Sequence, residues 1–410
     1  MATVNRQSTI RKMSRDEVGY SVVDLSDVRH VFAAAVPRRG GSLQEQARDA
    51  LETIEAVICD ESARGSIAKQ VVFYSDYNQL DELRGIIGDF YGPDLPATTY
   101  VPQHPCDGKL LAIEALGVGR GYGEVEIDRR NENVVIVRHQ GISWVHCGQV
   151  VGPGGEQSVY GQALGGFGRM RELLASEGFG FNHVIRTWLY LGNITGSEGD
   201  TQRYKELNRA RADFYRHHNF RSSIVPTSYE GRIYPASTGI GTDNHNLVMS
   251  CIAFATDRED IVGVPLENPR QTAAFNYAQR YSPKSPAFSR AMALSCGRFS
   301  TIFISGTASI TDSETQHAGD VAAQTTETLD NIAALVSERN LTRHGLPGLG
   351  TTLDGLVFAR VYIKRSEDYP RVRAICENRL GELPVIYAVA DVCRDDLLVE
   401  IEGIACANHA

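Results

Sequence analysis

The chain has 410 residues, enough for two or three domains, with an ordinary mix of 42% hydrophobic and 22% charged residues. Its formal net charge of −9 argues against a nucleic acid or an anionic membrane as partner, because an acidic surface repels polyanions unless a local basic patch overrides the repulsion. Eight cysteines without a CxxC pair and eleven histidines without an HExxH spacing predict neither a disulfide framework nor a metal site, and we expect no cofactor.

The start of the chain is polar and predicts a loose tail over residues 1–16, without the apolar core of a signal peptide. No later stretch approaches the ~18 consecutive apolar residues of a membrane span. We therefore expect a cytoplasmic protein.

A first unit of strands and helices is predicted over residues 17–122. In its first helix Leu43, Ala47, Leu51 and Ile54 recur at spacings of three and four residues, which is typical of an amphipathic helix. The predicted strands of this unit are 29–36, 69–76 and 109–118, and the predicted helices are 42–58 and 79–92.

The same order of elements returns twice more, in a second unit over residues 128–260 and a third over residues 285–408, with a polar, proline-containing connector at 261–284. In the second unit we predict strands at 138–151, 183–191 and 246–255 and helices at 162–176 and 203–218. In the third we predict strands at 300–310, 356–364 and 397–405 and helices at 320–336 and 368–380.

One glutamine supports the repeat, since Gln46, Gln162 and Gln324 each precede an apolar helix residue by eight positions. A period of ~110–130 residues is too long for a solenoid and indicates repeated domains, each with helices on one face of a sheet. The predicted fold class is α+β, with helices packed outside mixed β-sheets.

The last predicted strand carries two acids, Glu400 and Glu402, on one face, because side chains alternate along a strand. If that face is buried, burial and the like-charge neighbour both raise the pKa of one of them and leave a protonated acid near neutral pH. If it is solvated, the pair only keeps an edge strand soluble.

Comparison of the three units favours a function for the first of these acids. An alignment of the closing strands places Glu400 opposite Ile113 and Ser250, so only the third unit has an acid at this position. The last helices align so that Arg373 is a cation opposite Asn208 of the second unit. A helix-surface arginine is the alternative for Arg373.

Each unit resembles the RidA (YjgF-like) family, and the third does so most clearly, through FISGTASI at 303–310, RVYIKRSEDYPRV at 360–372 and LLVEIEGIA at 397–405. The resemblance implies a chorismate-mutase-like barrel, built in that family by three subunits with pockets between them. Three tandem units imply an intramolecular pseudo-trimer, so a monomer is consistent with the sequence, as is a homo-oligomer. The RidA deaminases carry an arginine where this chain has Val385, which disfavours their activity here.

From about Tyr100 to Ala405 the chain is similar to the chorismatases, RidA-fold enzymes that remove the enolpyruvyl side chain of chorismate. The similarity lies in several segments spread over some 300 residues in one order. These segments are ENP at 267–269, 276–291, HAGDVAAQ at 317–324, RTW at 186–188 and ASTGIG at 236–241.

By this resemblance Glu400 is the general acid and Arg373 binds a carboxylate of chorismate. Tyr277 donates a hydrogen bond from its hydroxyl group to the ligand, and Arg211 is a weaker candidate for binding the second carboxylate. A buried core tyrosine is the alternative for Tyr277.

Two further positions differ between family members that form different products. The hydrolysing members have alanine at the positions of Gly306 and Cys393, and the 3-hydroxybenzoate-forming members have the glycine and cysteine found here. A packing thiol is the alternative for Cys393. We expect a lyase that converts chorismate to 3-hydroxybenzoate and pyruvate. The alternatives are hydrolysis to a dihydroxycyclohexadiene carboxylate, formation of 4-hydroxybenzoate, or a non-catalytic RidA-like ligand-binding protein.

Overall fold

The computed structural model describes residues 10–15, 18–25, 28–61, 67–120, 124–278, 284–297 and 299–408. The first unit consists of β1 (Arg11–Arg15), β2 (Val18–Leu25), β3 (Val28–Ala35), α1 (Leu43–Asp60), β4 (Ile67–Tyr74), α2 (Leu80–Tyr91), β5 (Ala97–Pro102) and β6 (Leu111–Arg120).

The second unit consists of β7 (Glu126–Asn131), β8 (Val134–His139), β9 (Ile142–Val150), α3 (Val159–Ser176), β10 (Val184–Gly192), β11 (Ser197–Glu198), β12 (Thr201–Gln202), α4 (Arg203–Tyr215), β13 (Ala236–Thr242) and β14 (Leu247–Thr256).

The third unit consists of β15 (Ile261–Leu266), β16 (Ala291–Cys296), β17 (Phe299–Ala308), β18 (Ile310–Thr311), β19 (Glu314–Thr315), α5 (Val321–Val336), α6 (Glu338–Arg343), β20 (Leu356–Ile363), α7 (Tyr369–Leu380), β21 (Val385–Val389) and β22 (Val399–Asn408).

Each unit contains a six-stranded mixed sheet, and the three sheets share one strand order. The orders are β1-β2-β3-β6-β4-β5, β7-β8-β9-β14-β10-β13 and β15-β16-β17-β22-β20-β21. In each sheet the last two strands are parallel and the other pairs are antiparallel. The predicted α+β class, with helices against mixed sheets, is confirmed.

Each sheet is buried on both faces. One face packs against the helices of its own unit, and the other contributes to a central apolar cluster with members from all three units, among them Phe73, Trp188 and Phe358. The fifth strand of each sheet, β4, β10 and β20, is therefore buried along its whole length. None of the helices in the described part of the chain combines the length and the apolar character needed to cross a membrane.

The repeated glutamine ties each first long helix to the closing strand of its unit. The Oε1 atoms of Gln46, Gln162 and Gln324 accept hydrogen bonds from backbone N–H groups at the start of these strands, those of Leu110, Leu247 and Leu398, at 3.0, 3.0 and 2.8 Å. Each side-chain amide also donates to the carbonyl of a loop. The recurrence seen in the sequence therefore has one structural cause.

The sheets extend beyond two of the predicted boundaries. Residues Arg11–Arg15, predicted to lie in a loose tail, form a polar edge strand, while residues 1–9 and 16 lie outside the described residues. Residues Ile261–Leu266, predicted to lie in the connector, form the edge strand β15, where Pro265 is tolerated because an edge strand has unpaired N–H positions.

The observed pairing of the strands corrects the alignment of the closing strands that was made from the sequence. Glu400 pairs with Tyr362, and the corresponding inward-facing residues Tyr190 and Phe73 pair with Val248 and Ala112. The predicted partners differ, because Ile113 lies on the opposite, helix-facing side of its strand and Ser250 corresponds to Glu402. Only the third unit has an acid at this position, as the sequence predicted.

Candidate functional site

The two acids of β22 lie on one buried face but face different surroundings. Glu400 is 5% exposed and Glu402 is 2% exposed, while the alternating residues Val399 and Ile401 pack on the opposite face, against the helices. The alternation predicted from the sequence is therefore present, and the face that carries the acids is buried, not solvated.

Glu402 points to the centre of the molecule and is held by five hydrogen-bond donors from the second and third units. Burial alone would raise its pKa, but the neighbouring Arg360 and Arg186 guanidiniums outweigh burial and hold the pKa of Glu402 below its ordinary value. The donors are Arg360 and Tyr362 on Oε1, at 2.8 and 2.7 Å, and Trp188 at 2.9 Å, Arg186 and Thr238 on Oε2.

Glu400 lies in the wall of a cavity of about 290 Å³ between the second and third units, which we call the acid cavity. The second unit supplies α4 and β13 to this wall, and the third supplies β17, β22 and the stretch before β16. Its lining includes Tyr204, Asn208, Arg211, Ser237, Tyr277, Phe288, Arg290, Gly306, Cys393, Arg394 and Glu400.

No side chain among the described residues donates a hydrogen bond to Glu400, in contrast to Glu402. Burial raises the pKa of Glu400 to about 8, and the charge of Glu402 adds to this effect, whereas Arg186 and Arg290 oppose it. Glu400 is therefore a carboxylic acid that still holds its proton at neutral pH and faces a cavity.

A β-bulge places Gly306 directly against this acid. The register of β17 against β22 shifts between Ile304 and Thr307, and the Gly306 N–H donates to the Thr238 hydroxyl of the second unit at 2.9 Å. A Cβ atom at position 306 would lie 2.0 Å from Glu400 Oε1. Only glycine therefore allows the carboxyl group its present position.

Two buried guanidiniums lie next to the ring of Phe288 in the same cavity. Arg211 is 1% exposed and Arg290 is 3% exposed, and their Cζ atoms lie 5.4 and 5.5 Å from the ring centroid. Arg290 also donates to the Tyr277 hydroxyl at 2.5 Å. The cavity thus combines a proton donor with two cations.

These cations still have unsatisfied donors. The Nε–H groups of Arg211 and Arg290 and the side-chain amide nitrogen of Asn208 are buried without a hydrogen-bond partner among the described residues. A buried unsatisfied donor is costly, and a carboxylate matches the fork of a guanidinium. The arrangement suits a small anionic ligand with more than one carboxylate.

Arg373 does not lie in the acid cavity, contrary to the prediction. It is on the exposed side of α7, where its guanidinium donates to Glu377 at 2.7 Å and to the Tyr369 hydroxyl at 3.1 Å. It lines a separate cavity between the third and first units. The physical reason is that the helix facing Glu400 is α4 of the preceding unit, so Asn208 occupies the place that the alignment gave to Arg373.

The structure brings the other predicted site residues together, since Glu400, Cys393, Gly306, Tyr277 and Arg211 all line the acid cavity. Burial, together with the nearby Glu400, raises the pKa of the Cys393 thiol to about 12, so Cys393 is a neutral thiol at the cavity wall.

The residue that sequence reasoning missed is Arg290. It is the penultimate residue of the segment 276–291 already singled out by its family resemblance. It lies in an irregular stretch, where no periodicity indicates which way a side chain points. Its burial and its contact with Tyr277 make it a second buried cation of the cavity beside Arg211.

Comparison with known families agrees with this architecture. A family model described as Chorismatase FkbO/Hyg5-like, N-terminal, matches residues 126–253, and one described as Endoribonuclease L-PSP matches residues 282–407. The two matched segments contribute the two walls of the acid cavity.

Individual proteins show the same relationship. A 3-hydroxybenzoate synthase of Streptomyces hygroscopicus is 33% identical over 287 residues, which cover 68% of this chain and 79% of that protein. A chorismatase of Streptomyces rapamycinicus is 38% identical over 232 residues, covering 55% of this chain and 64% of that protein. A crystal structure of a chorismatase matches with a TM-score of 0.62 and 25% identity, covering 83% of this chain and 93% of that one.

The raised pKa of Glu400 predicts how the Glu400→Gln variant changes stability. Between the ordinary pKa of 4.5 and about 8, the unfolded chain loses the proton that the folded chain keeps, so this group lowers the stability of the native protein as pH rises. We expect the free energy of unfolding of Glu400→Gln, relative to native, to grow by on the order of 3 kcal/mol from pH 5 to pH 8 in urea titrations.

The matched control is Glu52→Gln, at an exposed position of α1, which should follow the native protein at both pH values. A constant difference between Glu400→Gln and native across this range would contradict a protonated Glu400.

Proposed function

Because this chain belongs to the chorismatase family, we propose that it converts chorismate to 3-hydroxybenzoate and pyruvate. The proposal is carried by one observation, a protonated Glu400 that shares a cavity with two buried guanidiniums lacking partners for their Nε–H groups. Chorismate is a dianion, and removal of its side chain requires a proton. The cavity offers two cations and one acid.

In this proposal Arg290, supported by Tyr277, holds one carboxylate of chorismate, and Arg211 holds the other. Both arginines are buried, where a charge-assisted hydrogen bond is stronger than at the surface. Both guanidiniums lie close to the Phe288 ring, and this combination of cations and apolar surface suits a ligand that carries its carboxylates on a ring.

Glu400 is the general acid of the proposed reaction. It donates its proton to the methylene carbon of the enolpyruvyl group, which makes the ether oxygen part of a good leaving group. The C3–O bond then breaks and pyruvate departs with both electrons of that bond. General acid catalysis of this kind contributes about 10²–10⁴-fold to the rate.

The 4-hydroxyl group of the substrate then replaces the side chain at C3. Its oxygen forms the new bond to C3, its proton returns to the Glu400 carboxylate, and the resulting arene oxide opens and aromatises to 3-hydroxybenzoate. The atoms of chorismate are thus divided between the two products without addition of water. Gly306 and Cys393 line the cavity beside Glu400. By the family resemblance, this glycine and cysteine favour hydroxybenzoate formation over hydrolysis.

A non-catalytic ligand-binding protein is the alternative of another class. Such a protein would gain nothing from a buried acid held without a hydrogen-bond partner, because that arrangement costs stability.

We also propose that the three units correspond to the three subunits of a RidA-like trimer, that the chain acts as a monomer, and that it is cytoplasmic.

The direct test incubates the protein with chorismate and follows pyruvate through lactate dehydrogenase, with chromatography of the aromatic product. We expect stoichiometric pyruvate and 3-hydroxybenzoate. Glu400→Gln should retain binding of 3-hydroxybenzoate by calorimetry but lose pyruvate release by about 10²-fold or more. Absence of pyruvate from folded native protein would refute the proposal, and a dihydrodiol acid would assign the hydrolytic reaction.

Arg290, which lies in the acid cavity, and Arg373, which was predicted to lie there but does not, provide a matched pair of variants. Arg290→Gln should raise the KM for chorismate by about 10- to 100-fold, because it removes a charge-assisted bond worth roughly 1.5–3 kcal/mol. Arg373→Gln should leave kcat and KM close to native, since Arg373 lies in another cavity. The reverse result would restore Arg373 as the clamp.

Gly306→Ala tests the position of the acid. The added methyl group must displace the Glu400 carboxyl group, and a misplacement of about 1 Å can cost 10²-fold in rate. We expect a fall of at least about tenfold in 3-hydroxybenzoate formation with a larger share of hydrolysed product. Gly168→Ala, on α3 with open space around the added Cβ, is the control and should behave like native.

A further inference from the structure

Five buried charged residues join the three units at the centre of the molecule. This charge cluster consists of Lys69, Glu114, Arg186, Arg360 and Glu402, each at most 9% exposed. Two of its members, Lys69 and Glu114, belong to the first unit, although no residue of that unit lines the acid cavity within the described chain. Through this cluster, the first unit places charged groups next to the acid of β22 that neighbours Glu400.

The contacts in the cluster form a continuous chain. Lys69 Nζ lies 3.0 Å from Glu114 Oε1, and Arg360 Nε donates to Glu114 Oε2 at 2.6 Å. The same guanidinium donates through its Nη1 to Glu402 Oε1 at 2.8 Å. Arg360 is thus shared between an acid of the first unit and the acid beside Glu400.

Sharing of one cation between two acids links their charges. As long as Glu114 is ionised, it neutralises part of the Arg360 charge that would otherwise act on β22. In a buried site such a charge is poorly screened, so its removal is felt beyond the directly bonded partner. Glu400 lies two residues from Glu402, roughly 7 Å along the strand.

We propose that Glu114 is a positioning residue of the first unit, which acts through Arg360 and Glu402 to keep the proton on Glu400. The proposal deepens the proposed function, in which Glu400 is the general acid. It gives the first unit a part in the reaction: an ionised Glu114 favours the protonated acid, and Lys69, which partly neutralises Glu114, has the opposite influence.

The other charged and titratable groups around the two acids come from several elements and stay unchanged in the test. Those around Glu400 are Tyr204, Lys205, Arg211, Tyr277, Arg290, Cys393, Arg394 and Asp395, and those around the cluster are His30, His146, Tyr190 and Tyr362. Because these residues are identical in all variants, opposite shifts on substitution of Glu114 and Lys69 come through the cluster.

The experiment titrates Glu400 directly by difference infrared spectroscopy, using the protonated carboxyl band that is lost in Glu400→Gln. In Glu114→Gln we expect the midpoint of this titration to move to lower pH by on the order of half a pH unit. In Lys69→Met we expect a comparable movement to higher pH. The basic limb of the kcat profile for pyruvate release should move in the same directions, because the reaction requires the protonated acid.

The matched control is Glu61→Gln, a buried glutamate of the same unit, 8% exposed and paired with Arg11 at 2.5 Å, outside the charge cluster. It should leave the midpoint unchanged, and Glu114→Asp, which keeps the charge, should restore most of the native value. An unchanged midpoint in Glu114→Gln, or a shift of the same sign in Glu114→Gln and Lys69→Met, as general loosening would produce, overturns the proposal.

The infrared titration needs no turnover, so it separates this proposal from the proposed function. Opposite shifts in a protein that releases no pyruvate from chorismate would support the role of Glu114 and refute the chorismatase activity. Pyruvate release with identical midpoints in all variants would support the chorismatase activity and refute the role of Glu114.

Discussion

The hydrogen bonds that converge on Glu402 determine the chemistry of its neighbour. Five donors from two units keep this carboxylate ionised, and they leave no cation in direct contact with Glu400 among the described residues. The ionised Glu402 then adds its charge to the burial that raises the pKa of Glu400. Two chemically identical side chains on one strand face thus take opposite protonation states, because only one of them is paired.

The repeated architecture supplies the cavity, and small departures from the repeat make it a site. The ladder position of Glu400 is occupied by Ala112 and Val248 in the other units, neither of which can donate a proton. The bulge at Gly306 then opens the space that the carboxyl group needs. A cavity between two units needs only one wall with the acid, and the other wall is free to supply Arg211.

The sequence predicted those features that depend on neighbouring residues along the chain. Alternation along β22 placed Glu400 and Glu402 on one face, and the spacing of Gln46, Gln162 and Gln324 indicated the repeat because each forms the same bridge to a closing strand. It could not show that the helix opposite Glu400 belongs to the preceding unit, which is why Arg373 was misplaced. The edge strands β1 and β15 were missed because polar residues and a proline in such strands resemble a loop.

An acidic chain can hold a dianion because the relevant charges are buried and local. Arg211 and Arg290 have already been removed from water by folding, and their Nε–H groups have no partner among the described residues, at a cost of about 1–3 kcal/mol each. A carboxylate that enters the cavity satisfies these donors without a further desolvation of the protein. The same holds for Glu400, whose burial weakens the fold near neutral pH and keeps a proton available. The instability of the free site is thus the source of its affinity for an anion and of its acidity.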